Sequence, residues 1–252
     1  MDFKRHLPNS ITLLNVFCGS IAAVLASNSN FALAAIFVFM GIFFDFFDGL
    51  LARILQVKSE LGIQLDSLAD VITSGLVPGI IMFKLLSFTV DNGHMHDSDW
   101  NSMISWQGFE ASLLPFLGFL ITVGSAYRLA RFNIDEDQQS YFIGLPTPAN
   151  TLMIVSLPLI LEFQHSDLIN SIIINKWFLI AVTLLSTFLL NSNIKLFALK
   201  FEDWSFMKNA TRYIFLLLSL VALIVLKFAA IPFIVILYIA MSLMGNVTAK
   251  VS

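Results

Sequence analysis

Apolar stretches of about 20 residues recur along the whole of this 252-residue chain, and they restrict the folds that it can adopt. Hydrophobic residues make up 58% of the sequence and charged residues only 12%, with a mean hydropathy of +0.84. A soluble domain carries about twice that charged fraction, so the excess apolar surface must face lipid. The sequence therefore predicts an all-α, polytopic integral membrane protein in contact with the lipid bilayer.

Polar and Gly/Pro-containing breaks divide the chain into about eight apolar segments. We expect transmembrane helices at about 11–28, 31–54, 66–90, 109–133, 147–163, 174–191, 210–228 and 230–246, the last two forming a helical hairpin. The chain is interpreted as one membrane domain, 1–252, in which 1–163 carries the motifs described below and 164–252 adds further helices. The segment from Ser192 to Asn209 mixes Lys with Leu, Phe and Trp, so it predicts either an interfacial amphipathic helix or a solvated connector.

The charges are informative through their placement. Lys and Arg concentrate in one set of loops, which by the positive-inside rule places both termini in the cytoplasm. We therefore expect a multi-pass protein of the cell inner membrane with its site on the cytoplasmic face. On the opposite side, His94 and His96 fall in an acidic stretch that is interpreted as a solvated loop. The net charge of -3 gives no reason to expect a nucleic acid partner.

Four aspartates lie within the second and third apolar segments, namely Asp45, Asp48, Asp66 and Asp70. A carboxylate in an apolar segment costs several kcal/mol unless a cation or a proton compensates it. Helical spacing places each pair on one face, and the short connection lets both faces meet in one cavity. Oxygen-only ligation suits Mg²⁺, Mn²⁺ or Ca²⁺, and four negative charges can balance two such ions.

Small residues accompany the first pair of aspartates. Gly49 and Ala52 remove side-chain bulk from the same face, and Arg53 lies one turn beyond Gly49, where it can pair with phosphate. A polyphosphate bridged by metal ions fits this arrangement. The two small residues are equally consistent with close helix packing in a membrane.

The pattern D-x2-D-G-x2-A-R-x8-G-x3-D-x3-D, from Asp45 to Asp70, resembles the signature of the CDP-alcohol phosphotransferases. The resemblance implies homodimeric membrane enzymes that displace CMP from a CDP-linked substrate. It implies that Asp45, Asp48 and Asp66 are metal ligands and that Asp70 is both a ligand and the general base. It also implies contacts with CDP-diacylglycerol from a set of residues around this signature and in the first helix: Asn9, Thr12, Asp48, Gly49, Arg53, Ser59 and Gly62.

The stretch 8–15 (PNSITLLN) resembles the entry to the first helix in this family, and the stretches 127–133 (YRLARFN) and 142–150 (FIGLPTPAN) resemble segments of its phosphatidylserine synthase subfamily. This resemblance implies transfer of a phosphatidyl group from CDP-diacylglycerol to L-serine.

Two of these stretches contain residues that could bind the acceptor. Arg128 and Arg131 can bind a carboxylate or phosphate, although Arg128 serves equally well as a positive-inside anchor. Asn133 forms a polar pair with Arg131 inside the membrane boundary, and such a pair needs polar partners. Gly144 and Pro146 belong to a stiff turn that either exposes backbone groups to the acceptor or simply interrupts the helices.

Two alternatives stay open from the sequence. The same chemistry could use another acceptor, namely glycerol 3-phosphate, inositol phosphate or choline. A cation transporter would also place carboxylates within the membrane, but such a protein should spread them through the membrane depth. Here they cluster beside Arg53, which favours a phosphate site.

Overall fold

The computed structural model describes residues 3–57, 59–90, 113–134, 141–164, 166–197 and 206–251, and these are almost entirely helical. Helices overlap every predicted apolar segment, and the second and fifth have the predicted bounds. The helices are α1 (Phe3–Ser27), α2 (Phe31–Ile54), α3 (Glu60–Asp70), α4 (Val77–Val90), α5 (Leu120–Ile134), α6 (Thr147–Phe163), α7 (Asp167–Ile173), α8 (Lys176–Asn191), α9 (Phe206–Leu226) and α10 (Ala230–Val251).

The helix lengths support fewer membrane spans than expected. In the described part of the chain, four helical stretches are long and apolar enough to cross a membrane: His6–Ser27, Phe31–Ile54, Glu60–Val90 and Asn209–Met244. The pair α7 and α8, bent by 62°, makes a fifth if it counts as one broken span. An all-helical membrane protein is thus confirmed, whereas the count of eight spans stays a prediction.

The stretch Asn209–Met244 folds back on itself as a helical hairpin. The rings of Phe215 in α9 and Tyr238 in α10 have centroids 5.7 Å apart, whereas a continuous helix would separate these positions by about 35 Å. The chain reverses at the 3₁₀ turn Lys227–Ala229. The Gln164 side chain stabilises this turn, because its amide donates to the last carbonyl group of α9 at 2.8 Å and accepts a backbone N–H at 2.9 Å.

Helix α4 lies at the centre of the hydrophobic core. It contributes the fully buried side chains Val77, Ile81, Met82 and Leu86, which pack with buried residues of α1, α2, α6 and α8. Many of the partners in α1 and α2 are alanines, which let the helix backbones approach closely. The apolar core therefore holds α1 and α2 firmly against the helix that continues from α3.

A π-helical turn, Val71–Leu76, joins α3 to α4 without a break. Such turns widen the helix and leave backbone groups available to partners outside it. Thr122 of α5 and Thr151 of α6 donate to carbonyl groups of this turn at 3.0 and 2.8 Å. Thr73 of the turn donates to the side chain of Asn15 in α1 at 2.7 Å. The turn is thereby bonded to three neighbouring helices directly beyond the last aspartate of the signature.

A short antiparallel sheet, absent from the sequence prediction, pairs β1 (Tyr141–Ile143) with β2 (Lys195–Phe197). The expected amphipathic helix over Ser192–Asn209 is therefore wrong for β2, while residues 198–205 of that segment lie outside the described residues. The physical reason is that the backbone partners of β2 come from a distant part of the chain. Leu196, in the middle of β2, is buried.

Candidate active site

The end of α2 and the start of α3 bring three carboxylates together. Ligand oxygens of Asp45, Asp48 and Asp66 all lie within 4.8 Å of one another. Asp45 interacts with three other carboxyl groups, those of Asp48, Asp66 and Asp70. Carboxylates this close repel one another unless a cation or a proton compensates them. The predicted convergence of the two aspartate pairs is confirmed for these three residues.

The donor set of this trio fits a divalent metal ion. It offers only carboxylate oxygens, which are the ligands that Mg²⁺, Mn²⁺ and Ca²⁺ prefer. Asp48 is buried and accepts a hydrogen bond from the hydroxyl group of Thr12 in α1. This bond restrains one carboxylate before any ligand arrives, which is how outer partners orient metal ligands.

Asp70 lies outside the trio. Its carboxyl group interacts with those of Asp66 and Asp45, and Asp70 and Arg128 of α5 are coupled electrostatically. A further neighbour of Asp70 is Asn15, which is fully buried. The amide nitrogen of Asn15 has no partner at hydrogen-bond distance, so its interaction with Asp70 acts over a longer separation. Asp70 thus lies on the helix that both contributes Asp66 to the trio and is bonded to α5.

Three of the residues expected at the nucleotide meet where α1 contacts α3. Ser59 precedes α3, and its hydroxyl oxygen accepts the N–H of Gly62 at 3.0 Å. A Cβ atom on Gly62 would lie 2.9 Å from Ser59 Oγ and 3.1 Å from Asn9 Oδ1. Glycine at this position therefore allows the close approach of the two polar side chains. Thr12, one turn further along α1, continues this polar edge toward Asp48.

Gly49 and Arg53 lie on an open face of α2. A Cβ atom on Gly49 would meet nothing within 4 Å, so packing among the described residues does not explain this glycine. Arg53 is exposed in the last turn of α2 and lies one helical turn beyond Gly49. The last turns of α2 therefore leave free space beside a cationic side chain.

A basic pocket lies between α5, β1 and the end of α8. It is lined by Arg128, Arg131, Phe132, Ile143, Leu190, Asn191 and Ser192. Arg128 is partly buried, and its Nε atom has no hydrogen-bond partner among the described residues. Arg131 donates to Asn193 Oδ1 at 3.2 Å. Two guanidinium groups at one pocket make it suited to a carboxylate or a phosphate.

The other residues expected at the acceptor lie beside this pocket rather than in its lining. Asn133 donates to Ser67 Oγ at 2.9 Å, which links α5 to α3 between Asp66 and Asp70. The N–H of Gly144 donates to a carbonyl group just after α8 at 2.9 Å, and its φ of +70° favours glycine. Pro146 directly precedes α6.

Sequence reasoning did not single out Asn15 or Thr73. Asn15 could have been found, because a buried amide inside an apolar helix needs partners and commonly marks a functional position. Thr73 gives no such signal, because a threonine hydroxyl can bond to the backbone of its own helix. Its role is visible only once the π-helical turn brings it to α1.

The fold and the site define a helical membrane protein in which a carboxylate trio suited to divalent metal lies close to a basic pocket. Residues 5–189 match the model of the family described as CDP-alcohol phosphatidyltransferase. The chain belongs to this family, as its aspartate signature predicts.

Several relatives carry the name CDP-diacylglycerol–serine O-phosphatidyltransferase. The one from Bacillus subtilis is 30% identical over 172 residues, which cover 67% of this chain and 81% of the relative. One from Helicobacter pylori is 30% identical over 200 residues, which cover 79% of this chain and 74% of the relative. One from Methanocaldococcus jannaschii is 30% identical over 163 residues, which cover 65% of this chain and 64% of the relative.

Proposed function

We propose that the protein transfers the phosphatidyl group of CDP-diacylglycerol to L-serine, forming phosphatidylserine and CMP. The family and the names of the relatives support this reaction. The observation that carries it is that α3, which contributes Asp66 to the carboxylate trio and ends at Asp70, is bonded to α5 through Ser67 and Asn133. Asp70, at the end of α3, is therefore placed to accept the proton that the acceptor loses in the reaction.

The metal site consists of Asp45, Asp48, Asp66 and Asp70. We propose that it holds two ions, Mg²⁺ or Mn²⁺, with Ca²⁺ as a further possibility. Bound divalent cations would neutralise the pyrophosphate of CDP-diacylglycerol and ease the departure of CMP. The convergence of three carboxylates within 4.8 Å supports this assignment.

The donor substrate is bound beside the metal ligands on α1, α2 and α3. We assign contacts with CDP-diacylglycerol to a polar edge and an open face that adjoin these ligands: Asn9, Thr12, Asp48, Gly49, Arg53, Ser59 and Gly62. The close grouping of Asn9, Ser59 and Gly62 supports a binding surface there. The free space at Gly49 supports the approach of a bulky phosphate group along α2.

Asp70 is the general base. It accepts the proton of the serine hydroxyl group as the hydroxyl oxygen attacks the phosphorus atom. The new bond joins the serine oxygen to phosphorus, and the bond from phosphorus to the CMP oxygen breaks. Direct attack by the acceptor requires no nucleophilic side chain from the protein.

The acceptor is held on the α5 side of Asp70. We assign the serine carboxylate to Arg128 and Arg131, because guanidinium groups bind carboxylates through paired hydrogen bonds. Asn133, Gly144 and Pro146 complete the acceptor region by fixing α5 and the turn before α6. The two arginines fit a phosphate as well, so a phosphorylated alcohol is the alternative that the experiment must separate.

The placement in the cell follows from the charge distribution. We propose about eight spans of the inner membrane, with both termini and the active site on the cytoplasmic side, since Lys and Arg predominate in that set of loops. We further propose a homodimer, on the basis of the family resemblance.

The proposed reaction is tested with the purified chain in detergent. CDP-diacylglycerol and Mn²⁺ or Mg²⁺ are supplied with L-serine, glycerol 3-phosphate, inositol phosphate or choline, and CMP release is followed. We expect release with serine and little with the others, and none with the Asp45→Asn variant. CMP release with a different acceptor would replace serine, and no release with any of them would refute the transferase assignment.

A further inference from the structure

The C-terminal helical hairpin, α9 and α10, lies beyond residues 5–189 that match the family and yet contacts the acceptor region. Its Phe215 and Tyr238 form an aromatic cluster with Phe197 of β2. The ring centroid of Phe197 lies 5.0 Å from that of Tyr238 and 5.7 Å from that of Phe215. The hairpin is therefore packed against the small sheet rather than standing apart from it.

One hydrogen bond joins α10 to this sheet. The hydroxyl group of Tyr238 donates to the carbonyl oxygen of Phe197 at 2.8 Å. A small apolar cluster of buried Leu145, Leu196 and Val235 lies beside this bond, with Tyr238 packed against it. The end of β2 is thus held by both a polar and an apolar contact with α10.

The sheet in turn forms part of the basic pocket. In β1, Ile143 pairs with Lys195 of β2 and lines the pocket that contains Arg128 and Arg131. The hydroxyl group of Tyr238 also lies within electrostatic range of Arg128. Tyr238 is therefore connected to the pocket through the sheet, because it bonds to β2, which pairs with the β1 residue that lines the pocket.

We propose that Tyr238 is a positioning residue for the acceptor: by holding the Phe197 carbonyl group, it fixes the two-stranded sheet that forms one wall of the pocket around Arg128. This inference rests on the proposed function for the assignment of the pocket to the acceptor and for the identity of the acceptor. The role of the hairpin follows from its contacts with β2. It means that α9 and α10, which lie beyond the residues that match the family, contribute to acceptor binding.

The first test is kinetic and uses the full-length Tyr238→Phe variant, which keeps the aromatic ring and removes the hydroxyl group. CMP release is measured against L-serine at saturating CDP-diacylglycerol, and against CDP-diacylglycerol at saturating serine. We expect the KM for serine to rise about threefold to tenfold, the change that loss of one hydrogen bond produces. The KM for CDP-diacylglycerol should stay within about twofold of wild type, because the donor site lies on α1, α2 and α3.

Two control variants separate this role from a general loss of structure. Tyr127→Phe removes a hydroxyl group from an exposed position of α5. Ser242→Ala removes a buried hydroxyl group of α10 that donates to the backbone carbonyl oxygen of Tyr238 at 2.7 Å, and it leaves the Tyr238 hydroxyl group in place. Both should leave the KM for serine unchanged. An unchanged KM for serine in Tyr238→Phe, or an equal rise in both KM values, would overturn the inference.

The second test needs no substrate. Amide hydrogen exchange of β1 and β2 should be severalfold faster in Tyr238→Phe than in wild type and unchanged in Tyr127→Phe. Unchanged exchange would overturn the positioning role whatever the acceptor is. If the wild-type chain used another acceptor, the proposed function would fail on that point alone, and the KM comparison would be made with that acceptor.

Discussion

Thr73 donates to Oδ1 of Asn15 at 2.7 Å, and this bond determines which end of the Asn15 amide faces Asp70. With Oδ1 engaged by Thr73, the amide nitrogen is the group left toward the Asp70 carboxylate. Thr73 is itself tightly held, because a Cβ atom on Gly19 would lie 2.2 Å from its Oγ1 and one on Gly41 would lie 2.7 Å from its Cγ2. The π-helical turn therefore orients a donor toward the proposed general base.

We expect Thr73→Val to lower kcat for CMP release about tenfold and Thr73→Ser to stay close to wild type. Valine has the shape of threonine but cannot donate, so it leaves a buried carbonyl oxygen unsatisfied at a cost of about 1–3 kcal/mol. Turnover is measured together with the thermal midpoint in detergent, so that loss of fold is recognised. Equal losses in the two variants would show that the hydroxyl hydrogen bond is unimportant.

The Asp70→Asn variant should lose turnover at least about 100-fold while still binding CDP-diacylglycerol. Asparagine keeps the size of the side chain and cannot accept the proton, and general-base catalysis contributes about 10²- to 10⁴-fold. CMP release and binding of labelled CDP-diacylglycerol are measured on the same preparation. Normal turnover would show that Asp70 is not the base, whereas loss of binding as well would make it chiefly a metal ligand.

Removal of divalent metal with EDTA should stop CMP release, and Mg²⁺ or Mn²⁺ should restore it. In the Thr12→Val variant, the metal concentration for half-maximal activity should rise about tenfold, because partners of metal ligands commonly contribute 10- to 100-fold to affinity. Thr12→Ser retains the donor to Asp48 and should resemble wild type. If valine left the metal titration unchanged, Thr12 would have no role in orienting Asp48.

The helices and the carboxylate trio could be predicted from the sequence because both depend on local patterns. An apolar run of 24 residues suffices to define α2, and helical spacing places Asp45 and Asp48 near one another on it. The short connection between α2 and α3 then leaves little freedom in how Asp66 approaches them. These features require no knowledge of distant contacts.

The remaining features depend on contacts between distant segments. The pairing of β1 with β2 joins parts of the chain that are separated by α6, α7 and α8. Hydropathy does not encode it, and so a helix was one expectation where β2 occurs. In the same way the need of Asn133 for a partner could be predicted, but not that this partner is Ser67 on α3, a residue that no motif distinguishes.

Gly49→Ala should make the protein more stable and a poorer enzyme at the same time. A Cβ atom there meets nothing within 4 Å, so alanine fits and should raise stability by about 0.5–1 kcal/mol, as expected within a helix. If the space beside Gly49 receives the phosphates of CDP-diacylglycerol, the added methyl group should raise the KM for that substrate and leave the KM for serine unchanged. Thermal midpoints and both KM values check this.

Gly118→Ala is the matched control for this prediction. Its Cβ atom would lie 2.5 Å from the backbone nitrogen of Phe83 in α4, so the variant should lose stability with no selective effect on either KM. We expect the stability of the two variants to change in opposite directions and the affinity for CDP-diacylglycerol to change only in Gly49→Ala. That result would show that the ligand requires Gly49, whereas helix packing requires Gly118. A Gly49→Ala enzyme with wild-type donor KM would instead show that the open face of α2 does not contact CDP-diacylglycerol, and Arg53 would lose its assignment with it.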